Sequence, residues 1–134
     1  MILQNGTLVA VIDGGTMRLF HNRGREPQID LVSLPDSGFD TENIGSGGRH
    51  RSSAANPDAS RLKEDDFAAA AADYLNREVL AGKVEHLLVI ADPRTLGELR
   101  RHYHDALKAK LAGEIAKDLT GHSPEAIAEA IVAA

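Results

Sequence analysis

Two short runs of core-type residues bracket a long amphipathic stretch, and this pattern narrows the fold more than any other feature of the sequence. Residues 7–13 read Thr-Leu-Val-Ala-Val-Ile-Asp, and residues 84–91 contain Leu-Leu-Val-Ile-Ala. Unbroken aliphatic and β-branched runs of this length suit strands covered on both faces. Between them, from about Asp58 to Leu80, Phe67, Ala70, Ala71, Tyr74, Leu75 and Val79 recur at helical spacing. Lys63, Glu64 and Asp73 fall on the other side, and Gly82 is a stop signal. Strand, helix and strand in this order predict a right-handed crossover with the two strands parallel.

The first run leads into a meander. Gly14-Gly15 suits a two-residue hairpin with positive φ at both positions, and residues 16–21 alternate in polarity, so they pair antiparallel with the first strand. Residues 23–27, Arg-Gly-Arg-Glu-Pro, read as a turn, and residues 28–34 as a third strand. After the second parallel strand, Asp92-Pro93 caps and opens a helix through about Tyr103. Residues 111–120 suit a helix by composition but alternate like a strand, and the reading favoured is an edge strand. Ser123-Pro124-Glu125 starts a last short helix with Ile127 and Ile131. The prediction is a mixed five-stranded α/β sheet in one domain spanning 1–134. A Gly/Ser-rich flexible loop at about 36–57 interrupts it, and a loop of such length points to function or disorder.

Composition removes several function classes. The 134 residues include no Cys, which excludes disulfides, thiolate metal sites and a Cys nucleophile and fits a reducing compartment. Aromatics are 4% with no Trp, a poor supply of base-stacking platforms. The net charge of −5 rules out attraction of nucleic acid by the whole surface, so any RNA contact must be local. Neither a secretory leader nor a membrane-length apolar run is present, and the expectation is a cytoplasmic protein with no membrane and no DNA partner.

Three strings carry a family resemblance. They are Val11-Ile12-Asp13-Gly14-Gly15 with Arg18-Leu19-Phe20, then residues 88–100 (Leu-Val-Ile-Ala-Asp-Pro-Arg-Thr-Leu-Gly-Glu-Leu-Arg), then residues 115–120 followed by Ser123-Pro124. With the element order, they resemble the bacterial host attachment protein family, itself similar to the middle domain of archaeal and eukaryotic class 1 peptide-chain release factors. The resemblance implies a release-factor middle-domain-like fold with ribonuclease H-like topology. The family label implies a part in attachment to a host, whereas the release factors imply a place at the ribosome. Their Gly-Gly-Gln tip, which helps water attack peptidyl-tRNA, corresponds here to Gly47-Gly48-Arg49. The glutamine is missing, so the resemblance does not bring peptide release with it, and enzyme status stays open.

The residues themselves offer several chemistries, each beside a plainer alternative. In residues 45–53 glycines allow close backbone approach, so Gly47, Gly48, Arg49, His50 and Arg51 form an expected RNA-binding tip for a ribosome or tRNA, or else a solubilising surface loop. Arg94, with Arg100, Arg101, Lys108 and Lys110, extends that positive face or is simply solvated helix surface. Asp13 and Asp92 are expected at the carboxyl ends of parallel strands, where ligands of open α/β sheets bind. They are weak candidates for a Mg²⁺-dependent nuclease, with Asp118 or Glu42 as a third carboxylate, against a turn residue and a helix cap. The six histidines include His102 and His104, which fall on different helix faces; no metal and no cofactor is expected outside the nuclease reading. Ser52, His50 and Asp40 make a triad only on paper, since no nucleophile elbow is present. An adaptor that binds another protein through its helical face is the third reading.

Overall fold

The computed structural model describes residues 1–34 and 59–134. Its strands are β1 (Leu8–Ile12), β2 (Met17–Asn22), β3 (Leu31–Ser33), β4 (Leu87–Ala91) and β5 (Leu111–Ala116). The helices are α1 (Ala59–Leu80), α2 (Pro93–Arg100), α3 (Asp105–Lys110) and α4 (Pro124–Ala133). One five-stranded sheet runs in the order β3-β2-β1-β4-β5. The β1–β2 and β2–β3 pairs are antiparallel, whereas β4 runs parallel to β1 and β5 parallel to β4. This is the expected mixed sheet, with residues 111–116 as its edge strand.

The period of two in each strand divides the core into two layers. Ala10, Ile12, Leu87, Val89 and Ala91 face α1, α2 and α3, where they meet Phe67, Ala68, Ala71, Ala72, Leu75, Leu96, Leu99 and Leu107. Val9, Val11, Leu88 and Ile90 face the other way, onto Phe20, Ile115, Leu119, Ile127 and Ile131. Every residue of β4 is fully buried, which explains the absence of a polar alternation in its sequence. Ala68, Ala71 and Ala72 of α1 are buried in the first of these layers. Each large aliphatic side chain so buried contributes about 1.5–3 kcal/mol of transfer free energy.

Three local details differ from the sequence expectation. Neither Gly14 nor Gly15 has φ in the left-handed region. The β1–β2 turn is organised by Asp13 instead: its backbone N–H donates to Thr16 O (2.9 Å), and its Oδ1 accepts from Gly15 N (2.9 Å) and Thr16 N (2.7 Å). The third strand is shorter than residues 28–34 because the buried Asn22 side chain holds the preceding stretch as a loop, accepting from Gly24 N and Asp30 N at 3.0 Å each. The helix expected through Tyr103 stops at Arg100. There, Asn76 of α1 donates to His102 O (2.8 Å) and accepts from His104 N (2.9 Å), and His104 then caps the separate helix α3 by accepting from Ala106 N through Nδ1. Gly82 does end α1 with a positive φ of 78°. Among the described residues no helix is long and apolar enough to cross a membrane.

Candidate functional site

The carboxyl ends of β1, β4 and β5 lie along one edge of the sheet; Asp13 and Asp92 follow the first two directly in the chain, and Asp118 comes two residues after the end of β5. This placement comes from the parallel register, in which Ile12 pairs with Ala91 and Ala91 with Ala116. Each carboxylate on this edge has structural work. Asp13 Oδ1 closes the β1–β2 turn, and its Oδ2 accepts from Thr120 Oγ1 at 2.8 Å. Asp92 is the N-cap of α2, its Oδ2 accepting from Thr95 N at 3.1 Å, with Pro93 in the first helical turn. Asp118 lies 3.0 Å from the same Thr120 hydroxyl, which has one proton to share and its shorter contact with Asp13.

Arg18 of β2 pins the chain that follows β5. Its Nη1 donates to Thr120 O and His122 O, both at 2.8 Å, and the guanidinium stacks 4.9 Å from the centre of the Phe20 ring. Residues 117–122 are thereby drawn across the end of the sheet, and Leu119 is buried beneath them. Neither Arg18 nor Thr120 stands out as a site residue in the sequence. The only signal is their presence inside the family-like strings.

On the opposite face of this edge, the first turns of α1 come up to the β1–β2 turn. Glu64 packs so tightly on Gly14 that a Cβ there would meet its Cγ at 2.7 Å. Arg94 joins α2 to α1 through a 2.9 Å ion pair with Asp65, with Glu64 at 4.0 Å. The Asp65 hydrogen bond raises the Arg94 pKa above its ordinary value.

The basic stretch beyond it is similarly engaged. Arg100 pairs with Glu114 (2.9 Å), Arg101 with Glu98 (3.3 Å) and Lys108 with Asp105 (3.9 Å). Four of the five positive groups in the expected face are therefore balanced by carboxylates of their own chain. His102 bonds Glu98 at 3.2 Å, and His104 caps α3. Among the described residues no group of three or more His, Asp or Glu side chains is placed to hold a metal ion.

The Gly-rich tip, Gly47, Gly48, Arg49, His50 and Arg51, lies outside the described residues, as do Ser52, Asp40, Glu42 and the whole loop expected at 36–57. Its two roots are described. On one side Leu34 N donates to Leu19 O at the end of β3, which runs in the same direction as β1. On the other, α1 begins at Ala59 and reaches Gly14 by Glu64. Both roots thus open toward the edge that carries Asp13 and Asp92.

A sheet ordered 3-2-1-4-5 with a long helix between β3 and β4 has the mixed α/β architecture of a release-factor-like protein. The model of bacterial archaeo-eukaryotic release factor family 12 matches residues 6–131, and the chain belongs to that family. No curated protein matches it.

Proposed function

We propose that this release-factor-related protein is a cytoplasmic bacterial RNA-binding protein that contacts tRNA or the ribosome through residues 45–51. Family membership supplies the context, and the placement of the two roots carries the reading. The Gly- and Arg-bearing segment follows β3, which runs toward the edge where open α/β sheets receive ligands, and precedes α1, whose Glu64 packs on Gly14 at that edge. Arg94, Arg100, Arg101 and Lys108 are paired with carboxylates of the chain, which favours Arg49 and Arg51 as the main phosphate contacts, with Lys110 the remaining cation of that stretch. Peptidyl-tRNA hydrolysis is not part of the proposal, because arginine stands at position 49 where the release factors have glutamine. A host-attachment role would then be a consequence of this RNA contact, not a second activity.

The test is binding of labelled tRNA, and co-sedimentation with ribosomes, for the wild type and the Arg49→Ala/Arg51→Ala double variant. At moderate salt the double variant should bind at least about tenfold more weakly, since each charge-assisted phosphate contact is worth about 1.5–3 kcal/mol before solvent screening. Equal binding by the two proteins would sink the reading. So would a wild type that binds neither RNA.

A further inference from the structure

We propose that Asn5 is a site of spontaneous deamidation that the folded N-terminal turn holds in check, so that modification at this residue records opening of the turn. This inference is independent of the RNA reading. Asn5-Gly6 is the one Asn-Gly dipeptide in the sequence. A following glycine offers no side chain to hinder attack of its backbone nitrogen on the asparagine amide carbon, and both residues are exposed to water. By composition alone, this is the most labile asparagine of the chain.

The fold engages both reacting groups. Thr7 N donates to Gln4 O (3.2 Å), closing a turn through Asn5 and Gly6, and Gly6 supplies the φ of 90° that the turn needs. The nucleophile, Gly6 N, donates its hydrogen to Asn22 O at 2.8 Å. The leaving group, Asn5 Nδ2, donates to Arg23 O (3.1 Å) and Gly24 O (3.0 Å). Asn22 is itself fully buried, so the acceptor of the Gly6 bond does not move independently of the core. Attack requires the Gly6 N–H to leave Asn22 and the Asn5 side chain to swing off its two carbonyls, which amounts to opening the turn.

The chemistry then balances without any other partner than water. Gly6 N forms a bond to Asn5 Cγ, the Cγ–Nδ2 bond breaks, and ammonia leaves with the proton given up by Gly6 N. Water opens the resulting succinimide at either carbonyl, to aspartate or to isoaspartate. The product carries a carboxylate where the Arg23 and Gly24 carbonyl oxygens wait for a donor, so the turn no longer closes on the 23–30 loop.

Peptide mapping by mass spectrometry tests this with the whole chain held in mildly alkaline buffer, with and without denaturing urea. The mass gain of deamidation at Asn5 should accumulate at least about tenfold faster in urea, because the native rate is scaled by the population of the open turn. Isomerisation at Asp13-Gly14 does not interfere, since it leaves the mass unchanged. Equal rates with and without urea, or faster deamidation at Asn22 or Asn76 than at Asn5 in urea, would overturn the proposal. A second measurement covers the consequence: Asn5→Asp should melt at a lower temperature than Asn5→Ser, which loses the same donors without placing charge beside the carbonyls. An Asn5→Asp protein that melts at or above the serine variant would refute that part.

Discussion

Thr120 and Asp13, 107 residues apart in the chain, meet through a 2.8 Å hydrogen bond from the Thr120 hydroxyl to Asp13 Oδ2. The bond joins the β1–β2 turn to the segment after β5, so it spans the sheet edge on which the proposed site is rooted. Thr120→Val preserves shape and removes the donor. The part-buried position lets water take over some of the loss, and the expected destabilisation is about 1 kcal/mol. Urea denaturation measures it. A variant as stable as the wild type would show that Arg18, which holds the backbone of Thr120 and His122, is sufficient by itself to fix this segment.

Asn22 is a stronger case, because its fully buried amide makes four bonds and every partner is backbone. It donates to Leu3 O (3.2 Å) and Gln4 O (3.1 Å) and accepts from Gly24 N and Asp30 N (3.0 Å each). Asn22→Leu fills the space but leaves those groups without partners, at about 1–3 kcal/mol for each one that water cannot reach. The expected loss exceeds about 3 kcal/mol, among the larger effects of a single substitution. Thermal unfolding of Asn22→Leu beside Thr120→Val gives the comparison, and a smaller loss for Asn22→Leu would contradict the assignment of a buried, fully satisfied amide.

What the sequence revealed, and what it concealed, follows from the range of each interaction. The five strands, the long helix with its Gly82 stop, and the caps Asp92-Pro93 and Ser123-Pro124 rest on local signals, and the structure has them all. The division between α2 and α3 depends on Asn76, which lies in α1, 26 residues before the His102 carbonyl it binds and on the far side of β4 in the chain, so no local signal marks it. Arg18, Asn22 and Thr120 likewise act on distant backbone or on a side chain across the sheet. Nothing about their neighbours in sequence marks them. Asp13 and Asp92 were legible both as carboxyl-edge residues and as turn and cap, since topology places the one and positional preference the other.

Tyr103 sets an alkaline limit on stability. Its ring is buried, and the Glu114 carboxylate lies beside its phenol, yet neither Tyr103 Oη nor Glu114 Oε2 makes a well-formed hydrogen bond. Burial, and then the Glu114 charge, push the phenol far above its ordinary range. A folded pKa above the unfolded one means that the contribution is intact below the unfolded value, about 10, and fades as pH rises beyond it. With one proton retained only by the native state, stability should fall by up to about 1.4 kcal/mol per pH unit in that window. Tyr103→Phe should remove this part of the slope while changing stability at neutral pH by less than about 1 kcal/mol, because the hydroxyl it deletes makes no well-formed hydrogen bond. Urea midpoints of the two proteins at neutral pH and above about pH 10 decide it, and identical alkaline slopes would rule Tyr103 out as the cause.

The pairing of Arg94 with Asp65 bears on how RNA would be held. If Arg49 and Arg51 are the only phosphate contacts, the logarithm of the binding constant should fall against the logarithm of salt concentration with a slope of about −1.4 for single strands, or −1.8 for duplex. Arg94→Ala should leave that slope alone, since in the free protein its charge is balanced by Asp65 and Glu64. A slope steeper by about one contact in the wild type, lost in Arg94→Ala, would mean that Arg94 exchanges its carboxylates for a phosphate when RNA binds. Asp65→Asn then discriminates further. Releasing Arg94 should strengthen RNA binding if the arginine is recruited, and should affect only stability, and slightly, if the arginine serves as a link between α1 and α2.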